Sequence, residues 1–236
     1  MLPKENGLRL ITNLKKSHSD RAINSILQNV FHVLNYEKTK TPSLMGNSVL
    51  GHENIRKRLG EFKLHCKLNS SCSQLYFVKA DVSSCFDSIP HDSLIATLDL
   101  FFSQVFNSIK CQDEYAVHKF VAIAMNAGRM KQYFMKRVLN VGVVEDFVKF
   151  IESLSFGNGF FTDQITYFYA NQRKLKEILV KHIILNVVKI DNRYYRQING
   201  IPQGSILSTL LCSLFYAQMD KEYLSQFNTQ NNSVSN

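Results

Sequence analysis

The residue of greatest chemical interest is Asp81, a carboxylate that follows the apolar run Leu75-Tyr76-Phe77-Val78 after Lys79 and Ala80. A carboxylate at the end of an apolar strand is costly unless a cation meets it. Magnesium, a hard ion that takes oxygen ligands, is one such cation, and the Val82 carbonyl is next in line as a second oxygen. The residue types by themselves favour a plainer alternative, a strand-end Asp that caps a turn or pairs with a lysine. Asp87 reads as a cap for the helix whose first turn holds Pro90. The second place for chemistry is the loop Gly200-Ile201-Pro202-Gln203-Gly204-Ser205. Its glycines let backbone approach a ligand, and Gln203 offers donor and acceptor to a base or sugar edge. The loop enters a helix N-terminus, which suits phosphate; taken alone, it is also an ordinary turn. Lys4 and Arg9 flank the Asn6-Gly7 turn, where a hairpin would aim both at one phosphate.

These residues need elements to hold them. Leu75–Val82 is rich in aromatic and β-branched residues and reads as a strand. A helix opening near Pro90 follows, with Leu94, Ile95, Leu98, Phe101, Phe102 and Val105 on one face. Upstream, Ile23, Ile26, Leu27, Val30, Phe31 and Leu34 mark a helix that Pro42 and Gly46 end, and a second helix fits His52–Phe62. The middle, about Cys111 to Leu185, reads as mostly helical, with stripes at Val117, Phe120, Val121, Ala124 and at Phe147, Phe150, Ile151, Leu154. Two strands around Asp191-Asn192 precede the glycine loop. After it comes a helix with Ile206, Leu210, Leu214 and Phe215 inward and Ser205 as its N-cap. Asn228–Asn236 is polar, without apolar periodicity, and reads as disordered.

Composition narrows the function. In 236 residues, Lys+Arg 28 against Asp+Glu 19 gives a net charge of +9, which suits a polyanionic partner. The basic residues are scattered (Lys15-Lys16, Arg56-Lys57-Arg58, Lys136-Arg137, Arg173-Lys174, Lys176), so most are solvated faces and some could track phosphates. No apolar run of about eighteen residues appears, so no membrane role is expected. The first residues lack an apolar signal core, which argues against secretion. Five cysteines without a CxxC pair and seven isolated histidines make no zinc pattern, and reduced intracellular thiols are expected. The Phe- and Tyr-rich patches read as core rather than as stacking platforms for bases.

Taken together, the segments resemble reverse transcriptases. Leu2-Pro3-Lys4-Glu5-Asn6-Gly7-Leu8-Arg9 resembles the hairpin of motifs 1 and 2, Phe77–Pro90 resembles motif A, and Gly200–Leu214 resembles motif B. Within that group the chain is most similar to the telomerase family. The Asp87-Ser88-Ile89-Pro90 ending is telomerase-like, and Ser205-Ile206-Leu207-Ser208-Thr209-Leu210-Leu211 lacks the proline that other groups place after Leu-Ser. A long insertion separates A from B, and Val33–Glu37 through Ser48–Gly51 also resembles the telomerase fingers.

The resemblance implies an α+β fold, an incomplete right-hand polymerase with fingers, part of the palm and a mostly helical insertion. Its divisions would be fingers at 1–64, palm with motif A at 65–97, the insertion at 98–186, palm with motif B at 187–227, and a polar tail at 228–236. It implies that Asp81 is the catalytic metal-binding aspartate, with the Val82 backbone carbonyl beside it, and that two Mg2+ ions serve the complete enzyme. Phe86 would be the aromatic gate that collides with a 2′-hydroxyl. Lys4 and Arg9 would hold the triphosphate, and Gln203 and Gly204 would lie against nucleotide and template. The implied activity is RNA-directed DNA polymerisation, adding deoxynucleotide triphosphates to single-stranded telomeric DNA on a telomerase RNA template, in the nucleus at telomeres. One departure stands out. The Asp-Asp hairpin of motif C does not follow motif B: Met219–Leu224 continues the helix, and Asp220 is isolated. The chain by itself is therefore expected to be inactive. The alternatives are a truncated, non-catalytic form that binds nucleic acid or interferes, and a fragment of another reverse transcriptase lineage.

Overall fold

The computed structural model describes residues 2–4, 7–9, 22–46, 48–49, 51–68, 79–106, 114–126, 128–140, 147–154, 159–190 and 192–232. A short hairpin comes first, β1 (Leu2–Lys4) against β2 (Gly7–Arg9). Helix α1 (Ile23–Lys40) buries Leu27, Val30, Val33 and Leu34, the three-and-four spacing of a helix with one covered face. Ile26, expected inward, is exposed. A 3-10 turn at Pro42–Met45 ends this helix, and α2 (His52–Leu68) follows. Helix α3 (His91–Phe106) buries Leu94, Leu98, Phe101, Phe102 and Val105 against the residues of α1 in one core.

The insertion differs from its sequence reading. Between α3 and the glycine loop lies an antiparallel sheet in the order β4-β3-β5, made of β3 (Glu114–Asn126), β4 (Arg129–Asn140) and β5 (Gly159–Asn171). Only α4 (Phe147–Ser153) and α5 (Gln172–Ile184) are helical there. Val117, Phe120, Val121 and Ala124 lie on the central strand, not on a helix. From Tyr115 to Ala122 that strand is buried at successive positions except Lys119, so the alternation that marks a strand disappears there. Tyr115 faces α1, where its hydroxyl donates to the buried Glu37 carboxylate at 2.8 Å. Phe120 faces α4, edge-on to Phe147 and Phe150. His118 bonds Asp163 of β5 and accepts from Arg137 Nε of β4 at 3.0 Å, so a polar network ties the three strands together.

The two strands read around Asp191-Asn192 are present as the antiparallel pair β6 (Val187–Ile190) and β7 (Arg193–Arg196), with Asp191 itself outside the described residues. Helix α6 (Ser208–Asn232) closes the core with Leu210, Leu211, Leu214 and Ala217. It continues through Asn228–Asn232, which corrects the disordered tail expected from residue 228. Extending an existing helix costs far less than nucleating one, so polar residues propagate it without an apolar face. Residues 233–236 lie outside the described residues.

The strand expected at Leu75–Val82 falls partly outside the description, at 75–78. Lys79–Val82 joins no ladder, and among the described residues β6 and β7 pair only with each other. No helix among the described residues is long and apolar enough to cross a membrane.

Candidate nucleotide-binding face

Asp81 and Val82 lead into a tight turn at residues 83–87, closed by Asp87 N–H and Ser88 N–H donating to the Ser84 carbonyl at 2.8 and 3.0 Å. Ser84 sits at φ 51, the left-handed conformation that lets one carbonyl take both bonds. The turn docks on the glycine loop through main chain. Gly200 N–H donates to Ile89 O and Ile201 N–H to Phe86 O, each at 2.7 Å, and Pro90 bridges Asn199. His91 Nε2 donates to the Gly200 carbonyl at 2.9 Å. Gly200 has φ +84, and a Cβ there would lie 2.7 Å from both Asp87 Cα and Phe86 O. Only glycine lets the segments approach this closely.

Side chains complete the contact. Gln203 Nε2 donates to both Asp87 carboxylate oxygens, at 2.9 and 3.1 Å. Asp87 thus holds the loop, which corrects its reading as a helix cap. Asn24, at the start of α1, donates through Nδ2 to Gly204 O and accepts through Oδ1 from Ile206 N–H, both at 3.1 Å. Nothing in the sequence pointed to Asn24, because an Asn in the first turn of a helix carries no mark of a partner so distant in the chain. Ser205 Oγ accepts from Leu207 N–H at 3.2 Å, one turn short of the helix start, so it closes the entry to α6.

The expected site residues are placed as follows. Asp81 and Val82 are exposed beside the docked turn; Asp81 has no hydrogen bond or ion pair among the described residues. Phe86 is half-buried against the core and, through its carbonyl, fixes Ile201. Gln203 and Gly204 form the loop surface, Gly204 exposed at φ +90. The structure therefore brings Asp81, Val82, Phe86, Gln203 and Gly204 into two segments locked together. Lys4 and Arg9 lie on the separate β1–β2 hairpin, in the register Leu2↔Arg9 and Lys4↔Gly7. No described hydrogen bond joins that hairpin to the turn or loop. Beneath the turn, the Tyr216 hydroxyl of α6 donates to Cys85 O at 3.2 Å, and burial holds its own pKa above the ordinary range.

A helical core that carries an Asp-bearing turn locked to a Gly-Ile-Pro-Gln-Gly loop fits part of a right-hand polymerase fold of the reverse transcriptase class. No protein-family model matches the chain. Curated relatives do: telomerase reverse transcriptase of Canis lupus familiaris is 31% identical over 93% of this chain and 20% of its own length. That of Oryza sativa subsp. japonica is 32% identical over 96% of this chain and 17% of its own. Among solved structures, telomerase from Candida albicans, determined in complex with a TWJ fragment of telomeric RNA, superposes with a TM-score of 0.56 at 15% identity, over 87% of this chain and 28% of that one. The chain belongs to the telomerase reverse transcriptase family. It spans about a fifth of the length of the relatives it matches.

Proposed function

We propose that these residues form the nucleotide-receiving face of a telomerase catalytic subunit, which copies an RNA template into telomeric single-stranded DNA in the nucleus. The observation that carries this reading is the lock between the Asp81–Pro90 segment and the Gly200–Ser205 loop. It joins the turn that follows the exposed Asp81 to a loop whose exposed Gly204 would let a nucleotide approach the backbone. The residues fit one side of a Mg2+ shell. Asp81 offers an exposed carboxylate without a partner among the described residues and Val82 a carbonyl, both hard oxygen donors. When bound, divalent ions would supply charge stabilisation to the transferring phosphate. The chain's own residues would do the rest. Phe86 would exclude a 2′-hydroxyl and so select deoxynucleotide triphosphates. Gln203 and Gly204 would hold the nucleotide against the template, and Lys4 and Arg9 would bind the triphosphate.

Asp81→Asn in the complete subunit, assembled with its RNA, tests the reading. Primer extension should fall by about a hundred- to a thousandfold, the scale on which losing an electrostatic catalytic group acts, while primer and RNA binding persist. Near-normal extension would refute the assignment of Asp81. Among the described residues this place holds Asp81 and Asp87, and Gln203 engages the second; the one remaining carboxylate is too little to hold two divalent ions against their mutual repulsion. Magnesium-dependent extension by the isolated chain would overturn that expectation. In the alternative, non-catalytic reading, the Asp81 change would leave every measured property of the natural assembly unaltered.

A further inference from the structure

Cys85 and Cys212 are remote in sequence, yet the turn and α6 bring them together. The Tyr216 hydroxyl donates to the Cys85 carbonyl at 3.2 Å, and Cys212 lies one helical turn before Tyr216 on the same face. Cys85 packs against the buried cluster that contains Cys212, and neither is in a disulfide. They differ in access: Cys85 is half-buried at the turn, whereas Cys212 is 8% exposed and packed in the core.

We propose that Cys85 and Cys212 are a redox modification site, a thiol pair that a hydroperoxide converts to a disulfide. The Cys85 thiolate attacks one peroxide oxygen, the O–O bond breaks, and water or an alcohol leaves. Cys85 is then a sulfenic acid. The Cys212 sulfur next attacks the Cys85 sulfur; the S–O bond breaks, and the oxygen leaves as water with the thiol proton. Two thiols give up two electrons and the peroxide is reduced by the same two. The order follows from access and ionisation. Burial, then the neighbouring Cys85, push the Cys212 thiol up to about 12, so it stays protonated and cannot react first. In a reducing compartment such a bond is transient, which is how disulfides there usually act. Its effect is local and direct. The turn that carries Asp81 and Phe86 becomes covalently tied to the helix that follows the glycine loop.

The test needs no polymerase activity, so its outcome is separate from the function proposed above. The purified full chain is treated with hydrogen peroxide, its remaining thiols are alkylated, and it is digested without reductant for mass spectrometry. A Cys85–Cys212 linked peptide, lost on reduction, is expected. In Cys212→Ser the sulfenic acid should persist at Cys85 and be trapped by a dione reagent. The proposal fails if both thiols still take the alkyl group after peroxide, or if Cys85 is found joined instead to Cys66, Cys72 or Cys111. Should the serine variant not fold, the peptide map of the unaltered chain decides.

Discussion

Gly200→Ala tests the lock directly. The added Cβ would stand 2.7 Å from Asp87 Cα, 2.7 Å from Phe86 O and 2.9 Å from Asp87 O, and all three are backbone atoms that cannot rotate aside. The loop and the turn must therefore separate. Separation strains or breaks the two main-chain bonds at 2.7 Å, Gly200 to Ile89 and Ile201 to Phe86. These contribute about 1 kcal/mol each. Holding alanine in a left-handed conformation adds about 1–2 kcal/mol, so the total is about 3–4 kcal/mol. Gly51 and Gly128 provide the control. They sit at φ +98 and +75, with no atom within 4 Å of an added Cβ. Alanine there should cost only the backbone share, about 1–2 kcal/mol. Urea denaturation followed by circular dichroism measures the difference, read as a shift in midpoint at constant slope. Equal losses at Gly200 and Gly128 would refute the lock, because the contact would then cost nothing.

Three further expectations follow from the same contacts. A double-mutant cycle of Asp87→Ala and Gln203→Ala should show a coupling of about 0.5–1 kcal/mol, the low end of the range for a hydrogen bond that water can reach; additive losses would mean that the pair does not form in solution. Asn24→Ala should cost about 1–2 kcal/mol for two hydrogen bonds, and Asn24→Asp should recover part of that, since it keeps the acceptor for Ile206 N–H; an aspartate variant no better than alanine would count against the clamp. His182 of α5 titrates low, because burial lowers its pKa from 6.5 to about 4, and its buried Nε2 has no hydrogen-bond partner among the described residues. The unfolded chain takes up this proton first, so stability should be lost as pH falls from about 6.5 to about 4, by at most about 3 kcal/mol. Thermal melts from pH 7 to 4 would show it, and His182→Leu should flatten that part of the profile.

The parts legible from sequence are those that local chemistry determines. The stripe on α3, Leu94 through Val105, lies on one buried face because one continuous core, shared with α5 and α6, covers it. The Asp191-Asn192 hairpin was legible because turn residues stand between two short runs of strand formers. The sheet of the insertion was not, since β3 buries successive residues between Tyr115 and Ala122 and its apolar residues at 117, 120, 121 and 124 also fit a helical period. What decides for strand is pairing with β4 and β5, and pairing leaves no mark within a single segment. The same limit applies to the site. Asp81 and the Gly200–Ser205 loop could be singled out by residue type. Asn24 and the Asp87–Gln203 bond could not, because each joins segments far apart in the chain.

The lock also says what Gln203 can offer a ligand. A carboxylate can only accept, so the amide nitrogen of Gln203 must face Asp87, as the bonds at 2.9 and 3.1 Å require. Its Oε1 keeps no hydrogen bond among the described residues, so in the proposed reading Gln203 would meet a nucleotide as an acceptor. The sequence reading had allowed it both roles. Gly204 is constrained likewise: Asn24 already takes its carbonyl, which leaves its N–H and its exposed surface for a ligand. Asp87 and Asn24 therefore act through the loop, each occupying one polar group and directing the other outward. The polar groups that the glycine loop would offer a ligand are thus set from two sides, by the turn that follows Asp81 and by the first residues of α1.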